Sequence, residues 1–417
     1  MARKIQLTVE EAQTAARIQQ AIDELGAEGG QVVLPEGEFV LDRGLELRSR
    51  IELRGQGQGT VLRKAPGRVY PLSGYHNYGM CDVPLEFTDG LEPGMTVAVR
   101  DEAHRGFGET FARITWVEGT WVGLEHGLQS DYHAAREPEL VTAFPLIYGL
   151  GVEDAVVREL TLDGNRAEQP AAIDGCRGSA IYFIRSRRVE VTDVEEASFA
   201  GEGLGFQMCR DMRILRCSTY NNTGNGFHPG AGSTGVLFEN CTAETNSLAG
   251  FFFCVRANHV TVRGCTFNGN TTCGVSVGAR DCYNLIESCR MDHNEGPGIL
   301  FRQGARTIEV HTCRVRGCHL EGNARVTGRG QIDVLADAHD LALVNNTLLG
   351  TETRETAGIY VAPQAQGIWL ADNHIERCFP AIIADRTCLA EREPELSCGV
   401  ETVQERDYRH LPGLGRT

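Results

Sequence analysis

The sequence predicts an all-β solenoid, a parallel β-helix of about 24 residues per coil, and three recurring positions carry the prediction. Asn222, Asn246, Asn270 and Asn294 follow one another at intervals of 24. Cys217, Cys241, Cys265, Cys289 and Cys313 keep that interval, as do Gly226, Gly250, Gly274 and Gly298. Within a repeat such as "GVLFENCTAETNSLAGFFFCVRAN" (235–258), two short β-branched or aromatic runs alternate with Asn/Gly turns. Leucine-rich repeats share the period, but their Leu spacing and helical segment are missing here. Coils in phase stack like neighbouring strands, about 4.8 Å apart, and identical Asn side chains at that spacing bond to one another. The Asn and Cys columns therefore read as scaffold, and function has to be sought in columns that point outward.

The elements follow in chain order. Residues 1–30 form a cap: "TVEEAQTAARIQQAIDEL" (8–25) carries a Thr8…Glu11 capping box, an apolar stripe through Val9, Ala12, Ala16 and Leu25, and Gly26 as a stop. A helix there covers the open edge of the first coil. "GGQVVLPEGEFVL" (29–41) leads into the first coils, 31–66, where "RGQGQG" (54–59) precedes the strand "TVLRK" and so reads as a coil turn, not a nucleotide fingerprint. The rhythm breaks over 67–148. There "GMTVAVRDEAHRGFGETFARITWVEGTWVGLEHGL" (94–128) reads as an inserted antiparallel β-subdomain, either a cleft wall or an oligomer contact. The main helix spans 149–390, and 391–417 is a polar, aperiodic tail.

Composition narrows the partners. A net charge of −16 argues against nucleic acid. No run of 18 apolar residues suggests a membrane span. The start "MARKIQLTVEEAQ" lacks a secretory apolar stretch, so the chain is cytoplasmic if that terminus is native and exported if a signal has been removed. The fifteen cysteines read as buried and reduced. With no CxxC pair and no acidic calcium cluster, no metal or cofactor is expected.

The second strand of each coil aligns as "AIYFIRS" from Ala180, "GFQMCRD" from Gly205, "GFHPGAG" from Gly226, "GFFFCVR" from Gly250, "GVSVGAR" from Gly274 and "GILFRQG" from Gly298. Alternation then turns Ile181, Phe206, Phe227, Phe251, Val275 and Ile299 inward, with Phe183, Met208, Pro229, Phe253, Val277 and Phe301. Tyr182, Gln207, His228, Phe252, Ser276 and Leu300 face out. Arg256 and Arg280 stand one period apart beside them, near Arg210 and Arg302. Two adjacent guanidinium groups need an anion between them: either Asp211 and Asp281, or a substrate carboxylate.

This pattern suits proton abstraction next to a carboxylate, as at C5 of a uronate. His228 is the base, Arg256 and Arg280 hold the carboxylate, and Tyr182 is a second proton carrier. Gln207, Phe252, Arg210 and Arg302 line the substrate path, Phe252 as a sugar-stacking platform. The rival reading is metal-independent glycoside hydrolysis by Glu202 and Asp163. There Glu202 sits in a local bulge caused by three extra residues before Gly205. A third is a non-catalytic glycan-binding or trimeric fibre-type protein. The partner in each case is a poly- or oligosaccharide, with a homo-oligomer possible.

The cap helix, the Gly-Gly-x-Val-x-Leu-Pro-x-Gly-x-Phe strand and the coil pattern of 149–390 resemble the pectate-lyase-like superfamily. That resemblance implies a right-handed parallel β-helix. Residues 225–256 are also similar to the bacterial alginate C5-epimerase group. There a His on one coil works with an Arg that ends the Gly-apolar-apolar-apolar strand of the next, which implies those roles for His228 and Arg256. Phe227 and Pro229 stand where that group carries acidic residues beside the His.

Overall fold

The computed structural model describes residues 3–402 except 171, 174, 305–306 and 352–354; the end of the tail, 403–417, lies outside the described residues. Each coil gives one strand to an eleven-stranded parallel sheet and two short strands to a bent parallel sheet of 21 strands. One coil runs Glu202–Gln207, Arg213–Leu215, Ser218–Tyr220. The bend between the short strands falls at Arg216, which takes φ +49°, and the return turn at Asn221, which takes φ +60°.

Inside that return turn Asn246 donates through Nδ2 to Oδ1 of Asn270 (3.1 Å), Asn270 to Asn294 (3.1 Å) and Asn294 to Asn323 (2.8 Å). The same oxygens accept the buried turn amides, so groups that water cannot reach are satisfied. At the bend, Cys217, Cys241, Cys265 and Cys289 are buried with free thiols. The fifth member of their column is Cys318, not Cys313. Val277 pairs with Phe301, 24 residues on, but Leu285 pairs with Arg314, 29 on. Five extra residues between Phe301 and Arg314 shift the period, and Cys313 falls beside Asn284.

At the start, Thr8 and Glu11 exchange the capping-box bonds, yet they cap only a 3-10 turn, Glu11–Gln13. Thr14 is extended and caps a second start, receiving the amide of Arg17, so the helix runs Ala15–Leu25 with Ile18, Ala21, Ile22 and Leu25 buried. Gly29 and Gly30 follow because the neighbouring coil passes too close for a side chain. A Cβ would lie 2.5 Å from the Arg50 carbonyl oxygen at Gly29 and 2.2 Å from that of Arg3 at Gly30.

The interruption is a six-stranded antiparallel sheet between Val69–Pro71 and Glu139–Thr142. It has its own apolar core of Tyr70, Val83, Val99, Ile114, Val122 and Leu140. It also touches the turn Cys176–Gly178 beside the outward row: Arg177 stacks on Phe111 at 4.7 Å and donates to the Gly106 carbonyl at 3.1 Å. Phe111, Arg113, Tyr148, Arg177 and Tyr182 border a cavity of about 220 Å³.

One register differs from the sequence alignment. Leu204, not Phe206, pairs with Ile181 and Phe227, and Gly205 pairs with Tyr182 and His228. "GLGF" offers two glycines, and it is Gly203 that matches Gly226. A shift of two keeps every face but moves each residue along the strand, so Gln207 stands with Ile184 and Gly230. Met208 leaves the inward set: it takes φ +52° and is 42% exposed. The other inward positions, Phe227, Phe251, Val275 and Ile299, are fully buried, each worth about 1.5–3 kcal/mol of apolar burial.

Candidate functional site

Strand pairing stacks Tyr148, Tyr182, Gly205, His228, Phe252, Ser276, Leu300, Asp333 and Tyr360 as one row on the outer side of the eleven-stranded sheet. His228 lies near its middle. Its Nδ1 meets Oε2 of Glu202 at 2.6 Å, and Oε1 of Glu202 accepts from Asn225 Nδ2 at 2.8 Å. Glu202 is the first residue of its strand and pairs with Ser179, so it occupies a regular position, not a bulge. Nε2 of His228 is buried and has no hydrogen-bond partner.

The ring of Phe252 meets the imidazole edge-on at 5.1 Å, and the Arg302 guanidinium lies over the same ring, 4.2 Å from its centroid. Arg302 donates to Ser276 Oγ (2.5 Å) and the Phe253 carbonyl (2.8 Å), and faces Asp281 at 3.5 Å. Asp281 in turn accepts the amides of Ala257 and Gly278. Burial pushes its carboxyl up to about 7 against the pull of Arg302.

Burial favours the neutral form of His228. The Glu202 charge, with help from the Cys254 thiol, outweighs it and pushes the imidazole up to about 10. Burial pushes the Tyr182 phenol upward, so it stays protonated, and its hydroxyl donates to Gln207 Oε1 at 3.0 Å. The space over Gly205 is taken by the turn at Cys176–Ser179, where a Cβ would lie 2.4 Å from Ser179 Oγ. Gly230 is also closely packed: a Cβ there would lie 2.9 Å from the Phe206 carbonyl oxygen, 3.2 Å from Gln207 Cγ and 3.6 Å from His228 Cδ2. Tyr182 thus reaches the His228 neighbourhood through Gln207, around the Cys176 turn.

The structure therefore gathers His228, Glu202, Phe252, Arg302, Gln207 and Tyr182, and separates the rest. Asp163 ends a strand of the other sheet and faces Arg63 at 3.4 Å, outside the row that holds His228. Arg256 and Arg280 lie on the turn after the row, at φ +68° and +66°. They line a hollow with Tyr283, Glu309 and His311. Arg280 donates to the Thr307 carbonyl, and Asp281 serves Arg302 instead of bridging the two arginines. Arg210 sits in the next turn, bridged to Arg187 and Thr234. The reason is shared: left-handed residues just past each strand swing these arginines off the sheet face.

Sequence reasoning missed the Glu202–His228 pairing and Cys254. The signal for Cys254 was present, since it follows Phe252 by two positions and so faces the same way. Asp292, His319 and Glu321 also converge, but Arg290 pairs with Asp292 and Arg377 with Glu321.

A family model described as the right handed beta helix region matches residues 179–348 and 253–389, together about half the chain. The chain belongs to the right-handed β-helix family. No curated protein matches it. Among solved structures, this β-helix protein is similar to the A-module of an Azotobacter vinelandii mannuronan C-5 epimerase. That match has TM-score 0.54 and 16% identity, over 90% of this chain and 95% of that one. It is also similar to the catalytic domain of a GH87 α-1,3-glucanase, with TM-score 0.55 and 12% identity, over 90% and 60%. A third is the surface adhesin PfbA of Streptococcus pneumoniae, with TM-score 0.52 and 12% identity, over 87% and 81%. At these identities the likeness is one of fold. Among the described residues of this β-helix protein, no helix is long and apolar enough to cross a membrane.

Proposed function

We propose that this β-helix protein acts on a uronate-containing poly- or oligosaccharide by moving the C5 proton, as a lyase or an epimerase. The observation that carries the reading is the His228 imidazole, tied through Nδ1 to Glu202 while its buried Nε2 has no partner. Such an atom is the place for a substrate proton. Glu202 stabilises the imidazolium that forms on abstraction, and so strengthens the base toward a weakly acidic C–H. At neutral pH the imidazolium predominates, so turnover rises as pH climbs toward about 10 and the neutral base accumulates.

Arg302, not Arg256 or Arg280, is the cation that faces the carboxylate across the Phe252 platform. Tyr182, kept as a phenol and oriented by its hydrogen bond to Gln207, is the second proton carrier. That a mannuronan epimerase and a glucanase share the fold supports a saccharide partner. The row continues past Leu300 to a groove of about 1180 Å³ bordered by Asp333, Arg329 and Tyr360. That groove gives an extended chain a place to lie, and it also fits glycan binding without catalysis. Hydrolysis by Glu202 with Asp163 loses its second carboxylate.

The test is a panel of uronans and neutral glycans with three readouts. Ultraviolet-absorbing unsaturated ends report a lyase, solvent deuterium at C5 an epimerase, and reducing ends alone a hydrolase. Either of the first two supports the reading; reducing ends alone contradict it.

A further inference from the structure

We propose that Cys254, His228 and Glu202 form a nucleophilic triad that cleaves carboxylic esters carried on a saccharide. Cys254 shares the outward face of Phe252. Its amide donates to the Pro229 carbonyl at 3.0 Å, which seats it above Gly230 of the coil below. Gly230 has no side chain, and the His228 ring borders it through Cδ2, 3.6 Å from where a Cβ would stand and the carbon bonded to the unpartnered Nε2. Nδ1 is held from the opposite side by Glu202 at 2.6 Å. A thiol, an imidazole and a carboxylate in this order are the parts of an activated cysteine.

Two further observations set Cys254 apart. The thiols of Cys217, Cys241, Cys265 and Cys289 are buried in the core, whereas Cys254 is partly exposed. It lies close enough to His228, Cys176 and Arg302 to interact with each of them. The Arg302 guanidinium is then the cation available to a carbonyl oxygen as it gains charge.

The step balances without any co-reactant but water. Sγ, as thiolate, adds to the ester carbonyl carbon. The carbon–oxygen bond to the sugar breaks, and the departing alkoxide takes the proton from His228 Nε2, leaving a thioester on Cys254. A water then gives its proton to Nε2, its oxygen adds to the thioester, and the thiolate departs with release of the carboxylic acid.

The inference rests on the uronate reading only in placing a saccharide over this row. It is tested on the full chain with 4-nitrophenyl acetate and an acetylated polyuronate. Acetate release is followed, and the Cys254 peptide is weighed after acid quench. Wild type should release acetate from both and carry an acetyl group on Cys254. Cys254→Ala and His228→Ala should lose about 100-fold or more. Cys254→Ser, nearly the same size, should keep the wild-type melting temperature while losing the rate. Undiminished hydrolysis by Cys254→Ala, or a folded wild type that neither releases acetate nor acquires the adduct, overturns the triad. Acetate release with neither deuterium at C5 nor ultraviolet-absorbing unsaturated ends would sink the uronate reading and leave the triad standing. Deuterium uptake without acetate release would do the reverse.

Discussion

Glu202 and His228 are 26 residues apart in the chain and 2.6 Å apart in space, because one coil of the helix separates them. Their pairing makes a measurable prediction. Glu202→Gln should bring the His228 titration down from about 10 toward the ordinary 6.5, followed by imidazole nitrogen shifts in NMR. A histidine raised on folding stabilises the native state fully below its unfolded value and loses that contribution as pH rises through the folded one. The stability gap between wild type and Glu202→Gln should therefore be widest near pH 5–6.5 and close by about pH 10. A gap independent of pH contradicts the pairing.

Lys64 makes the opposite prediction. Its ammonium is buried between the rings of Phe144 and Phe199, with one bond to the Phe144 carbonyl at 3.2 Å. Burial pushes it down to about 7. The unfolded chain then binds more protons between about pH 7 and 10.5, so stability should rise with pH over that window. Lys64→Met should raise the melting temperature by about 2–4 °C at pH 6, and by less at pH 10.

Asn270 accepts the amide and Nδ2 of Asn246 and donates to Asn294 and to the Ala243 carbonyl. Asn270→Ala leaves several buried groups unpaired, at about 1–3 kcal/mol each. Urea unfolding should show a loss of at least that size, while an exposed position such as Thr271→Ala should change little.

Arg302 and Phe252 should separate charge from stacking. Arg302→Ala should weaken binding of a uronan about tenfold or more, with little effect on a neutral glucan. Phe252→Ala should weaken both. Isothermal calorimetry on the two ligands checks this, and equal losses for both in Arg302→Ala would remove its assigned role.

Most of the scaffold was legible because it repeats. The period of Asn222, Asn246 and Asn270 fixes the phase of the coils, and strand alternation then assigns inside from outside. Two things hid the rest. "GLGF" carries two candidate glycines, so the coil holding Glu202 was placed two residues out and its contact with His228 could not be read. The turn residues after each strand adopt left-handed conformations that spacing does not reveal, so Arg256 and Arg280 seemed to belong to a face they turn away from. Arg302, proposed for that role instead, lies on a later coil and reaches back over Phe252. Interactions across coils of unequal length are set by register, and one ambiguous glycine is enough to conceal them.

The central claim is that His228, seated by Glu202, moves the substrate proton. The most direct measurement is deuterium content at C5, by NMR, of a uronan incubated in heavy water near pH 9 with wild type, His228→Ala or Glu202→Gln. The account predicts label at C5 or, for a lyase, ultraviolet-absorbing unsaturated ends with wild type, neither with His228→Ala, and a slowed rate with Glu202→Gln. Label that accumulates equally fast in all three contradicts it.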